Sequence, residues 1–235
     1  MKSQRIWELD VLRGICITAM VILHFVFDIR ELYGAAEFEY PAIYNICMRW
    51  GGILFVVLSG ICVTLGHHPI RRGLIVFGCG LVITAVTVGM NLLNLAGPGI
   101  IIRFGILHGL GLCMLLWPLF KGLPNPALGV LGIVFTALGY WFRTMAVNVT
   151  WLFPLGLMYP GFYSADFFPL FPHLGWFLLG SLLGRTVYKE KKTLLPGVNP
   201  SPMKPLSWIG RNSLLVYMLH QPILSGLLSL WLMIR

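Results

Sequence analysis

The stretch Val11-Leu-Arg13-Gly14-Ile-Cys-Ile-Thr-Ala-Met20-Val-Ile-Leu-His24-Phe-Val-Phe-Asp28 reads as a membrane-spanning helix, and that reading decides the fold. Its basic and acidic side chains are Arg13, His24 and Asp28, with apolar or small residues between them. A helix needs about 20 predominantly apolar residues to cross the hydrocarbon core. The run is too long for the apolar region of a signal peptide, and no small-residue cleavage site follows it. It is therefore expected to stay as the first helix.

Working outward, comparable runs fall at about 11–32, 46–66, 73–93, 100–120, 126–143, 168–186 and 209–233. They predict an all-α polytopic membrane protein, a bundle of about seven transmembrane helices forming one domain over 1–235. Composition agrees. The chain is 57% hydrophobic and 11% charged, against about 25% charged in soluble domains. The alternation expected of barrel strands is missing.

The formal net charge is +9. With the N-terminus in the cytoplasm, that side collects Lys2, Arg5, Arg13, Arg71, Arg72, Lys121, Arg185, Lys189, Lys191, Lys192, Lys204 and Arg211. The opposite side keeps Arg30, Arg49, Arg103, Arg143 and Arg235. Twelve against five fits the positive-inside rule, so the basic excess orients helices and no nucleic-acid partner is expected. Cys16, Cys47, Cys62, Cys79 and Cys113 show no C-x-x-C spacing and read as small packed thiols, with no metal site expected. The longer connections, about 33–45, 144–167 and 187–208, carry no separate domain.

Ionisable groups inside a span are costly and mark function by default. Arg13, Ile17, Met20, His24 and Asp28 share one face of the first helix, since steps of three and four stay on one side. Asp28 lies one turn from His24, where a carboxylate can orient an imidazole and stabilise its protonated form. That is the arrangement of a general base. His108, in the fourth run, is a second catalytic candidate; Arg49, Arg103 and Asp166 are expected at a similar depth. His220 and Gln221 precede Pro222 in the last run and read as re-satisfying backbone that the proline frees. His67, His68 and His173 read as loop or interface residues. Phosphate-loop, zincin and nucleophile-elbow motifs are missing. Gly180-Ser-Leu-Leu-Gly184 reads as close helix packing.

Arg5-Ile-Trp-Glu-Leu-Asp10-Val-Leu-Arg13-Gly14-Ile, with Met20, His24 and Asp28 beyond it, resembles the start of small bacterial membrane proteins. These are grouped with the catalytic domain of heparan-α-glucosaminide N-acetyltransferase. Phe104-Gly-Ile-Leu-His108, Asp166-Phe-Phe-Pro-Leu-Phe-Pro172 through Gly180, and Ile209-Gly-Arg211-Asn-Ser213 through Pro222 agree in order. The resemblance implies a transmembrane acyltransferase in the bacterial inner membrane. It would take an acetyl or similar group from cytoplasmic acetyl-CoA or another acyl-CoA to a carbohydrate or other small acceptor. The wider membrane acyltransferase class that this resemblance implies carries a histidine in its first helix after an Arg-Gly-Ile-like start, which here would be His24. The lysosomal enzyme's proposed catalytic histidine, in the loop after its first helix, has no counterpart in 33–40. On this reading Arg103, His108 or Arg49 would stabilise an oxyanion, and Asp166 would line the acceptor side. Arg13 and Arg211, with Arg71 and Arg72, would attract CoA phosphates. The lipid bilayer is the other expected partner, and a homo-oligomer stays open. The alternative is a proton-coupled transporter or flippase, although paired interrupted segments in matching halves are not evident.

The charge asymmetry makes a direct topology test. A reporter fused after Lys192 should behave as cytoplasmic and one after Arg235 as external. Both on one side would replace seven spans by six or eight.

Overall fold

The computed structural model describes residues 6–34, 37–95 and 97–234. Lys2, Arg5 and Arg235, which the charge count includes, lie outside the described residues. The helices run α1 (Trp7–Phe27), α2 (Ala42–Leu65), α3 (Pro69–Leu92), α4 (Ile106–Phe120), α5 (Asn125–Phe142), α6 (Leu170–Val187), α7 (Lys204–Arg211) and α8 (Ser213–Ile234). A wide π turn, Asp28–Leu32, continues α1, and short 3₁₀ turns sit at Pro98–Ile100, Thr150–Leu155 and Ser201–Met203. Lipid cannot satisfy open backbone groups, which is why helices dominate. Among the described residues the only β pairing is two isolated bridges, Phe104 with Phe167 and Ala146 with Met158.

Five elements are long and apolar enough to cross a membrane: Trp7–Leu32, Ala42–Leu65, Pro69–Leu92, Asn125–Phe142 and Ser213–Ile234. α4 is apolar but has 15 residues, about 22 Å at 1.5 Å per residue. The expected run 100–120 is thus corrected at its start. Residues 101–105 are extended, because Phe104 O accepts from Phe168 N (2.9 Å) and Ile101 O from Ala165 N (2.9 Å). The expected run 209–233 is corrected too. Ile209–Arg211 end α7, and Asn212, whose side chain donates to Trp208 O at 2.9 Å, separates it from α8. Large apolar side chains such as Leu74, Leu81, Ile133 and Leu227 point outward, as lipid-facing residues do.

Two compact units make up the chain: Met1–Phe55 with Glu190–Arg235, and Val56–Lys189. In the first, α1 lies against α7 and α8. Two glycines let α1 and α7 cross at backbone contact. A Cβ added at Gly14 would strike Leu206 O, and one at Gly210 would strike Asp10 O. In the second, α3 packs on α4, and α6 packs on α5 and α4. Phe177, Leu178 and Ser181 of α6 are fully buried. Gly180 meets Val57 O and Gly184 meets Ile61 O, so the small-residue stripe does serve close packing against the second half of α2.

Gly210→Ala or Gly14→Ala should lower thermal stability in detergent by about 1–3 kcal/mol, the usual cost of overpacking. Gly78→Ala, where nothing lies within 4 Å of the added Cβ, should not. Thermal unfolding of the three purified variants checks this.

Candidate active site

The N-terminal half of α1 is pinned by acidic and basic residues that each find a partner in the C-terminal segment. Glu8, buried, accepts from Thr193 Oγ1 (2.8 Å) and Leu194 N (2.7 Å). Asp10 pairs with Arg211 Nε at 3.3 Å, and Arg211 Nη2 also donates to Ser207 Oγ at 3.0 Å. Arg13 Nη2 donates to Ser213 Oγ, the first residue of α8, at 2.8 Å. Arg13 and Arg211 are thus brought to the same α1–α7 crossing. Each guanidinium has five N–H donors, so these bonds leave others open.

Farther along α1 the chain builds a polar cluster at membrane depth. Asp28, 0% exposed, opens the π turn, and Tyr33 N reaches back to Asp28 O at 2.9 Å. Such single wide turns recur at functional sites. Tyr33 Oη fastens the turn to α8, donating to Ser225 O at 3.0 Å and lying 3.1 Å from Ser229 Oγ. Both carboxylate oxygens of Asp28 accept from Gln221 Nε2, each at 2.9 Å. The His24 ring lies 5.0 Å, centroid to centroid, from the His220 ring, tilted by 59°.

His24 and Asp28 lie one turn apart along α1 and its π turn, without a mutual hydrogen bond. Among the described residues none joins them; the partner of Asp28 is Gln221. The reading of Gln221 as a local backbone patch is corrected by this cross-helix bond. His220 does bind its own helix, Nδ1 to Tyr217 O at 2.6 Å, yet its Nε2 is buried without a partner, as is Gln221 Oε1. The His220–Gln221 pair is what sequence reasoning missed. The available signal was two polar residues in mid-span, where packing alone would favour apolar ones.

In the π turn that continues α1, Arg30 pairs with Glu31 at 3.4 Å and lies 4.4 Å from the Tyr40 ring centroid. Tyr40 Oη donates to Glu31 Oε1 at 3.1 Å. Loss of water around the ring and that carboxylate push the Tyr40 phenol up. Arg49, the remaining basic candidate of this unit, is exposed on α2.

In the second unit His108 is 2% exposed and occupied on both sides. Its Nδ1 accepts from Gly105 N at 3.2 Å, closing the first turn of α4. Its Nε2 then carries the hydrogen and donates to Thr84 Oγ1 at 3.3 Å, while Thr84 Oγ1 donates to Ile102 O at 2.8 Å. This chain of donors and acceptors is complete with a neutral ring. In that neutral ring no lone pair is left to accept a proton. Asp166 Oδ2 accepts from Ile106 N at 2.8 Å and so caps α4, where a helix N-terminus favours negative charge. Arg103 is exposed before α4; its Nε donates to Tyr163 O at 3.2 Å and its backbone N to Ser164 Oγ at 3.0 Å. His173, expected in a loop or interface, is corrected to a buried residue of α6 whose Nδ1 donates to Pro169 O at 2.6 Å. His67 and His68 are exposed. Among the described residues no group of three or more His, Cys, Asp or Glu is placed to hold a metal ion.

A family model described as heparan-alpha-glucosaminide N-acetyltransferase, catalytic, matches residues 5–222 of the 235. No curated protein and no solved structure matches the chain.

The His108 geometry yields a clear expectation. His108→Leu leaves Gly105 N and Thr84 Oγ1 without their partner, so melting should fall by about 1–3 kcal/mol. Ligand affinity measured on the folded fraction should stay as in wild type.

Proposed function

The chain belongs to the heparan-α-glucosaminide N-acetyltransferase catalytic family, and from that premise we propose that it is an integral membrane acyltransferase using an acyl-CoA donor. It moves an acetyl or similar acyl group to the hydroxyl or amine of a small acceptor, a carbohydrate by preference, at or across the bilayer. The observation that supports this reading most is the polar cluster His24, Asp28, His220 and Gln221, part-buried around a fully buried Asp28 and joining the first and last membrane helices. Polar side chains there are expensive, and packing alone does not call for four of them.

The chemistry follows from the parts. A hydroxyl or amine attacks a thioester well only if a base removes its proton as the new bond forms. His24 takes that proton. The fully buried Asp28, one turn away and held by Gln221, supplies the negative charge that stabilises the imidazolium. Arg13 and Arg211 face the CoA phosphates from the cytoplasmic end, with the N-terminus on that side. His24 lies eleven residues beyond Arg13, a run of ~16 Å along α1. The acyl-bearing arm of the donor spans that distance while its charged end stays outside the hydrocarbon. Arg49 in the first unit and Arg103 in the second are each exposed.

Proteoliposomes given acetyl-CoA and a panel of amino sugars and alcohols should release free thiol. His24→Ala should abolish release, and Asp28→Asn should lower it strongly, with membrane insertion and acetyl-CoA binding intact. A positioned base contributes ~10²–10⁴-fold, so a loss below tenfold is too small for the role. No release by the wild type, with substrate flux instead, would favour a carrier.

A further inference from the structure

His220 has a feature that helix packing does not require. Its Nδ1 lies 2.6 Å from Tyr217 O, and a carbonyl only accepts, so Nδ1 carries the hydrogen. In the neutral ring Nε2 is then a bare lone pair. That atom is buried and has no partner among the described residues. Buried polar atoms are nearly always hydrogen-bonded, and the exceptions call for an explanation. Local repair of the backbone beside Pro222 uses Nδ1 alone and leaves Nε2 unexplained. A backbone carbonyl on Nδ1–H is also the arrangement that fixes Nε2 as the proton-accepting nitrogen and steadies the charged ring once it is protonated.

The neighbourhood explains why a second proton carrier is useful. Acyl transfer breaks the acceptor X–H bond, forms the X–C bond and breaks C–S, which leaves a thiolate. In a site shielded from water an unprotonated thiolate is poorly stabilised, and the fully buried Asp28 carboxylate beside it makes the cost larger. His24 alone would have to serve the acceptor on one side of the reacting carbon and the sulfur on the other. The His220 ring stands 5.0 Å from it, on the facing helix.

We propose that His220 is a second catalytic residue, the group that returns to the departing CoA sulfur the proton that His24 takes from the acceptor. The proton leaves X, resides on the His24–His220 pair, and ends on sulfur as free CoA thiol. No oxidant, metal or further reactant enters. This rests on the acyl-transfer reading above.

Leaving-group dependence tests it. His220→Asn offers an amide N–H where Nδ1 stands, which keeps the bond to Tyr217 O, and removes Nε2. Acetyl-CoA binding in nanodiscs reports whether the variant is folded, and His220→Gln is a second check. Turnover is compared with acetyl-CoA and with an aryl thioacetate, whose thiolate departs without a proton. His220→Asn should slow acetyl-CoA turnover by ~10²-fold or more and aryl thioester turnover by less than tenfold. His24→Ala should slow both donors alike, since each needs the acceptor deprotonated. An equal loss with the two donors in His220→Asn, or no loss with either, overturns the proposal. Absence of thiol release by the wild type from both donors instead overturns the acyl-transfer reading, and this inference with it.

Discussion

Hydrocarbon offers no hydrogen bonds, so every polar group that enters it must be answered by the chain itself. Much of this protein's detail follows from how that demand is met. The first turn of α4 is closed by a histidine ring and a distant carboxylate, His108 and Asp166. Its far end is closed by Arg185, which donates to Leu123 O at 2.7 Å and also to Lys121 O, where a helix C-terminus favours positive charge. Thr84, Thr136 and Ser181 return their hydroxyls to backbone carbonyls. Among the described residues the buried side-chain atoms left without partners include Thr18 Oγ1, Tyr44 Oη, Trp176 Nε1, His220 Nε2 and Gln221 Oε1, and the last two belong to the cluster around Asp28.

The same rule separates residues that look alike in sequence. His108 and His220 are both mid-chain histidines in apolar helices. One has both nitrogens engaged by Gly105 and Thr84; the other has one nitrogen engaged by Tyr217. The second keeps a bare lone pair on a buried nitrogen, and the first does not. Asp28 and Asp166 divide similarly: Asp166 serves a helix end, while Asp28 is held by a single amide from another helix.

Hydropathy made the membrane helices legible, because length and apolarity are local properties. The stripe Arg13, His24, Asp28 was legible for the same reason, since helical periodicity alone places it. What hydropathy could not register is how polar breaks are used. Residues 101–105 are apolar enough to extend a span, yet pairing with 165–168 holds them extended. Asn212 ends one helix and frees the next, although the flanking residues read as one continuous run. The partners of the candidate site residues were not legible in the sequence. Thr84 lies 24 residues from His108 and Gln221 lies 193 from Asp28, so no local pattern marks either contact.

That remoteness bears on biosynthesis. Arg13 meets Ser213 across 200 residues, Tyr33 meets Ser229 across 196, and Asp28 meets Gln221 across 193. A ribosome delivers α1 to the translocon long before it makes α8. In that interval the aspartate stands in lipid without its amide, and the crossing glycine of α1 lacks the helix it crosses. The first unit therefore closes by lateral diffusion of inserted helices after the last has been threaded, with a loop-closure entropy set by the whole intervening chain. Until then its polar face is exposed to the bilayer, a signature that membrane chaperones and proteases are placed to read.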